Sequence, residues 1–242
     1  MVVYRLIEDP IFPDPDEAEP DGLLAVGGDL SPERLLSAYA SGIFPWYDEN
    51  SPILWWSLDP RLVMSFDKLH VSRRVKRKIR NKKYRVTFDT DFEQVIRNCA
   101  MKFRPGQAGT WIVPEMIDAY VKLHKLGFAH SVEVWNESGK LSGGLYGISL
   151  GKVFSGESMF FIEPDASKVG FSYLVQYLKN REFHFIDCQQ PTGHLKSLGA
   201  EEMSRELFLE KLDEALNYSA LRGVWQFMPG EYEQITNLLG CS

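Results

Sequence analysis

The sequence predicts an α+β fold, with a small N-terminal domain followed by a larger mixed domain. Three observations carry that expectation. Residues 84–216 switch between alternating and helical hydrophobic spacing. The Gly-punctuated stretch 129–161 reads as three successive strands. The composition breaks near residue 65, where an acidic, proline-rich region gives way to a basic run.

Residues 9–22, DPIFPDPDEAEPDG, concentrate proline and carboxylates and read as an extended arm. LSPERLLSAYASG follows as a helix that Ser31 caps, with Pro32 in its first turn and Gly42 past its end. IFPWYDENSPILWWSLDPR is a proline-broken, tryptophan-rich loop that closes the N-terminal domain, expected over 1–65, with the second domain over 66–242. There KYRVTFDT alternates as a strand, DFEQVIRNCAM has helical spacing, and VPEMIDAYVKLHKLG is a helix between Pro114 and Gly127. After the three-strand stretch come the helix ASKVGFSYLVQYLKN, the strand FHFIDCQ and the helix SRELFLEKLDEAL, which Ser204 can cap. The order strand, helix, helix, three strands, helix, strand, helix resembles that of acetyltransferase-like folds. Residues 217–242 are weakly patterned and read as a tail.

Composition narrows the function classes. The 242 residues are 44% apolar and 13% aromatic, which suits a folded globular chain and not a disordered one. No apolar run approaches the length of a membrane span, and MVVYRLIEDP lacks the pattern of a secretory leader, so no membrane partner is expected. Cys99, Cys188 and Cys241 are widely spaced and suggest neither a zinc site nor a disulfide framework, which fits a reducing cytoplasm. No heptad pattern is present, and a monomer is expected.

Charge is unevenly spread. Residues 1–66 hold three arginines against twelve carboxylates, whereas residues 67–85, DKLHVSRRVKRKIRNKKYR, hold ten Lys and Arg against Asp67 alone. On a helix, Arg73, Arg74, Arg77 and Arg80 fall on adjoining faces, and Lys76, Lys78, Lys82 and Lys83 widen the patch. A solvated helix face usually interleaves both signs. One sign alone suits contact with the phosphates of a nucleic acid. Trp46, Trp55, Trp56 and Trp111 lie in Pro- and Gly-punctuated segments, where aromatic rings can stack unpaired bases; packing between domains is the plainer alternative. Together the stripe and the rings point to an RNA with a splayed end.

Two polar islands interrupt apolar strands. KVFSGESMFF sets Glu157 between Phe154 and Met159, and FHFIDCQ ends on Asp187, Cys188 and Gln189. Strand alternation puts Asp187 and Gln189 on one face and turns the Cys188 thiol to the other, which argues against Cys188 as a nucleophile. Lys168 and His194 are candidate partners for these carboxylates, and a purely structural buried network is the alternative.

PDGLLAVGGDLSPERLLSAYASGIFPWY, GTWI, AHSVEVW, GESMF and DCQQPTGHLKSLGA, in that order, resemble the bacterial leucyl/phenylalanyl-tRNA–protein transferases from about residue 4 to residue 212. The resemblance implies transfer of leucine or phenylalanine, and less readily methionine, from aminoacyl-tRNA to the N-terminal Arg or Lys of acceptor proteins, which marks them for N-end rule degradation. It implies a small N-terminal domain on an acetyltransferase-like domain, and no metal or cofactor. By the same resemblance Trp46 and Trp111 contact the terminal adenosine. Leu145, Phe154 and Met159 line the acyl pocket together with Phe171, Leu174 and Ile186. Leu145 stands where the family commonly has methionine, and Phe171 and Leu174 depart from the family in size, which bears on the balance between leucine and phenylalanine. On chemical grounds Gln189 is expected to orient the amine or the ester carbonyl. Asp187 is expected to attract the acceptor's ammonium, and Glu157 to hold its amine or basic side chain.

Two rivals account for less. An acyl-CoA-dependent acetyltransferase usually cradles pyrophosphate in a Gly-rich turn; in QPTGHL, Gln190 and Gly193 fit that pattern and Leu195 does not. A non-catalytic RNA-binding module explains the basic run and leaves Glu157, Asp187 and Gln189 without a task.

Overall fold

The computed structural model describes residues 3–101 and 112–241, which form a mixed α/β structure with two sheets. The first sheet takes β1 (Tyr4–Leu6), β2 (Leu23–Gly27), β3 (Phe44–Pro45) and β4 (Leu54–Trp56), in the order β1-β2-β4-β3. Helix α1 (Pro32–Ala40) lies between β2 and β3, with the Ser31 hydroxyl accepting from the Arg34 amide and Gly42 at φ +71° beyond its end. Arg34 is fully buried, and its guanidinium donates to the carbonyls of Ile7, Glu8 and Asp9, which ties the N-terminal arm to α1. Trp55 is fully buried and donates from Nε1 to the Gly27 carbonyl, while Trp56 donates to the Trp46 carbonyl. Trp55 is therefore a core residue of this small sheet and not a platform for bases. The plainer reading holds for it because its indole N–H is satisfied inside the fold.

The second sheet has seven strands in the order β11-β5-β10-β9-β8-β7-β6. They are β5 (Arg61–Met64), β6 (Arg85–Phe88), β7 (Ala129–Trp135), β8 (Leu141–Leu150), β9 (Val153–Phe161), β10 (Phe185–Gln189) and β11 (Glu201–Met203). Helices α2 (Arg73–Arg80), α3 (Phe92–Met101), α4 (Pro114–Lys125), α5 (Ala166–Lys179), α6 (Gly193–Lys196), α7 (Arg205–Leu216) and α8 (Glu231–Cys241) complete the chain. Successive glycines of β8 show that both faces of this sheet are covered. A Cβ at Gly143 would meet Ala166 of α5 at 2.7 Å, and one at Gly144 would approach Val95 of α3 at 3.3 Å. Small residues here let helices close on the sheet from either side.

Strands β5 and β11 carry no readable period. Arg61–Met64 is buried at all four positions, and a run this short fits neither template. Although it precedes residue 65, β5 pairs with β10 and β11 of the larger sheet. The weakly patterned tail is packed: α8 buries Ile235 and Leu239 in one core with Val75 and Ile79 of α2, and Arg181 grips Glu231 through two bonds of 2.6 and 2.9 Å. Among the described residues, no helix is long and apolar enough to cross a membrane.

Candidate active site

Strands β9 and β10 pair in parallel, the one such pair in the seven-stranded sheet among the described residues, and their ladder runs only from Phe185↔Val153 to Asp187↔Ser155. Beyond that point Gly156, Glu157 and Ser158 of β9, with Cys188 and Gln189 of β10, line a cavity of about 330 Å³. Trp46 of the first sheet's loop lines it as well.

Each strand bulges where it meets the cavity. Tyr146 faces Ser158 while Gly147 faces Gly156, which leaves Glu157 as an extra residue on β9. On β10, Asp187 faces Val63 and Gln189 faces Leu62, which leaves Cys188 as the extra residue, and Gln189 is left-handed at φ +54°. A bulge re-aims the side chains that follow it. The alternation expected for FHFIDCQ is thereby corrected: Gln189 and Cys188 both line the cavity, and Asp187 does not. The Cys188 thiol is inert for a different reason than its expected direction, since burial and the neighbouring Asp187 push its pKa well up.

Glu157 accepts from the Gln189 Nε2 at 2.9 Å and from the Tyr120 hydroxyl at 2.9 Å. Tyr120 in turn hydrogen-bonds Tyr39 of α1. Because the Tyr120 proton points to Glu157, Tyr39 must be the donor in the second bond, so a chain of buried hydroxyls feeds one carboxylate. Burial raises the Glu157 pKa from 4.5 to about 7, against the lowering effect of these hydrogen bonds. An ionised Glu157 only accepts, so the Gln189 amide must turn its NH₂ toward it and present its carbonyl oxygen elsewhere.

Asp187 was expected to meet the acceptor directly. Its carboxylate instead receives Arg61 Nε at 2.8 Å and Nη2 at 2.7 Å, and both side chains are almost fully buried. Arg61 takes the place considered for Lys168 and His194. Its guanidinium also lies between the rings of Phe44 and Phe208, 4.8 and 4.5 Å from their centroids. Asp187 Oδ1 accepts as well from the backbone N–H of Gln189, at 3.0 Å. This pair holds the bulge that aims Gln189.

Leu145, Phe154, Met159, Phe171, Leu174 and Ile186 come together as the apolar wall of the same cavity. Trp111 lies outside the described residues. Tyr39, Tyr120 and Arg61 escaped the sequence reading. The tyrosines look like ordinary members of apolar helix faces, and only the scarcity of arginine in the first 66 residues marked Arg61.

The basic run forms α2 as expected, and its charges divide. Arg74 and Lys78 are ion-paired with Asp165, the latter at 2.9 Å, which ties α2 to the start of α5. Arg73, Arg77 and Arg80, with Lys82 just past the helix, are exposed and enter no ion pair among those of the described residues, while Arg74 is exposed as well but paired.

Residues 63–213 match the family model described as leucyl/phenylalanyl-tRNA protein transferase, and residues 28–59 match the model of that protein's N-terminal domain. A leucyl/phenylalanyl-tRNA–protein transferase from Maridesulfovibrio salexigens is 84% identical over 239 residues, covering 99% of this chain and 100% of the relative. One from Anaeromyxobacter sp. strain Fw109-5 is 61% identical over 231 residues, covering 96% of this chain and 98% of the relative. Among solved structures, L-PGS from Bacillus licheniformis matches with a TM-score of 0.40 and 13% identity, over 91% of this chain and 74% of that one. With a family model spanning more than half of its length and relatives this similar over nearly all of it, the chain belongs to the leucyl/phenylalanyl-tRNA protein transferase family.

Proposed function

We propose that this chain transfers leucine or phenylalanine, and less readily methionine, from aminoacyl-tRNA to the N-terminal Arg or Lys of acceptor proteins, and that the two substrates meet in the cavity between β9 and β10. The observation that carries this reading is the division of one cavity into an apolar wall and a polar pair, Glu157 and Gln189. The apolar wall takes the leucyl or phenylalanyl side chain. Trp46, which lines the same cavity, takes the terminal adenosine.

The acceptor's α-amine has a pKa of about 7.7–8.0, so part of it is neutral near pH 7 and needs no strong base. Its nitrogen attacks the ester carbonyl; the new amide C–N bond forms, the ester C–O bond breaks, and the proton lost by the amine ends on the ribose oxygen. The ester is already activated, so this reading calls for neither metal nor cofactor. Gln189 presents its carbonyl oxygen to an N–H of the amine and fixes its approach. Glu157, once ionised, draws the cationic acceptor. Asp187 acts through Arg61 and the Gln189 backbone as a positioning residue.

This reading includes N-end rule marking of the acceptors, a cytoplasmic monomer, and an acetyltransferase-like second domain at 66–242 beside a small first domain at 1–65, with β5, from the end of the first range, paired into the larger sheet. The test is single-turnover transfer of labelled leucine from leucyl-tRNA to a peptide beginning with Arg. Transfer to that peptide and not to its Ala-starting counterpart is expected, and no transfer to either would overturn the reading.

The exposed face of α2 is assigned to tRNA phosphates. Changing Arg73, Arg77, Arg80 and Lys82 to Gln should reduce the slope of log K against log salt by about one unit for each lost phosphate contact. Arg74→Gln and Lys78→Gln should instead loosen α2 from Asp165 and lower stability. Filter binding across a salt series checks this, and an unchanged slope in the quadruple variant would contradict the assignment.

A further inference from the structure

The tail beyond the family-model match, which ends at residue 213, places one large ring directly behind the cavity. Trp225 is 2% exposed, and its ring packs against Phe154, a cavity-lining residue, with centroids 5.8 Å apart. The indole is held from several sides. Its ring stacks on His130 at 3.8 Å with planes 9° apart, and its Nε1 donates to the Leu221 carbonyl at 2.9 Å. The backbone N–H of Trp225 donates to Asp89 Oδ2 at 2.7 Å. That carboxylate also takes His130 Nδ1 and the Ser131 N–H, each at 2.8 Å.

The Phe154 ring also packs against Gly147 of β8. A Cβ there would stand 2.6 Å from Phe154 Cε1 and Cζ, so the ring lies against bare backbone. Close-packed interiors leave a ring pinned in this way no room to retreat. With backbone against the ring and the indole packed on it, Phe154 gains room to yield to a larger occupant of the cavity when Trp225 gives way.

We propose that Trp225 sets the depth of the acyl pocket through Phe154 and so tunes the choice between leucine and phenylalanine; this rests on the reading of the cavity as the acyl-side-chain site. Trp225 touches no substrate and is a positioning residue. Apolar pockets separate side chains by modest factors, about 10–200-fold per methylene, so a shift of one ring behind the wall is large enough to change the balance. Removing the indole opens a void that Phe154 can tilt into, and the deeper pocket favours the larger side chain.

The experiment is competition between leucyl-tRNA and phenylalanyl-tRNA for one Arg-starting peptide, read as the ratio of the two kcat/KM values. Both substrates see the same enzyme, so any loss of folded protein cancels in the ratio. Trp225→Ala is expected to move the ratio about tenfold toward phenylalanine. Trp225→Phe, which keeps a ring, should fold readily and move it less in the same direction. Met159→Ala, in the cavity wall itself, must also move the ratio, whereas Leu239→Ala, in the same tail but away from the cavity, must not. An unmoved ratio in both Trp225 variants with a moved one in Met159→Ala overturns this inference and leaves the cavity reading intact. A ratio unmoved in all three overturns the cavity reading as well. A shift in Leu239→Ala as large as that in Trp225→Ala shows that general loosening of the tail is responsible, and also overturns the inference.

Discussion

Asp187→Ala is expected to lower stability by about 3–5 kcal/mol, because it leaves the Arg61 guanidinium buried without its counter-charge. Transfer should fall by at least about a hundredfold, since the Gln189 backbone loses the acceptor that fixes its bulge. Arg61→Ala should match it in stability, because the stranded charge is then the carboxylate. Arg61→Met with Asp187→Leu separates the two effects. Replacing a buried ion pair by apolar side chains of similar volume is often neutral or stabilising. The double variant should therefore regain much of the stability and little of the transfer, because the Asp187 carboxylate that accepts from the Gln189 backbone N–H is gone. Urea denaturation and single-turnover transfer measure the two quantities. Full transfer by the double variant would remove the ion pair from the mechanism.

The second large effect concerns the polar pair in the cavity. Gln189→Ala should reduce the rate of the chemical step by about 10²–10³, the usual consequence of losing one preorganised hydrogen-bonding group at a reacting centre, with leucyl-tRNA affinity nearly unchanged. Glu157→Gln should instead change the pH dependence. The Glu157 carboxyl titrates near 4.5 in the unfolded chain and near 7 in the folded one. Between those values the folded state holds the proton more firmly, so stability present below pH 4.5 is lost progressively as the pH rises to 7. Glu157→Gln has no such proton, and its melting temperature should gain on that of the parent protein across this window. The same ionisation governs acceptor binding. KM for an Arg-starting peptide should fall as the pH rises through 7 in the parent protein, and this limb should be absent in Glu157→Gln. Deprotonation of the peptide's own amine affects both enzymes and cancels in their ratio. Parallel KM profiles would show that Glu157 does not hold the acceptor.

Much of this arrangement was legible before any coordinates. The apolar wall of the cavity is made of the six residues that the family resemblance named, and α2 announces itself by charge alone. The meander from Ala129 to Phe161 forms where the glycines punctuate the alternation. Capping signals at Ser31 and Ser204 fall where the hydroxyls accept from the first turn of their helices. Trp55 shows the limit of such reasoning. A tryptophan in a proline-broken loop looks available for stacking, yet its indole N–H finds the Gly27 carbonyl, 28 residues earlier.

By itself the sequence determined which chemistry is present: a carboxylate, an amide, an apolar wall and a cationic helix, in an order that alternates helix and strand as a mixed fold requires. The wall was named by the resemblance to the family; the others are properties of residue type and local period, written along the chain. Tertiary structure alone decided where the polar groups point and what stands behind them. A bulge exists only relative to a partner strand that has one residue fewer, so no count along FHFIDCQ or KVFSGESMFF reveals it. The partnership of Asp187 with Arg61, separated by 126 residues, and the packing of Trp225 behind Phe154 arise for the same reason. Which buried charge is neutralised, and which ring is pinned, depends on how distant segments close over one another.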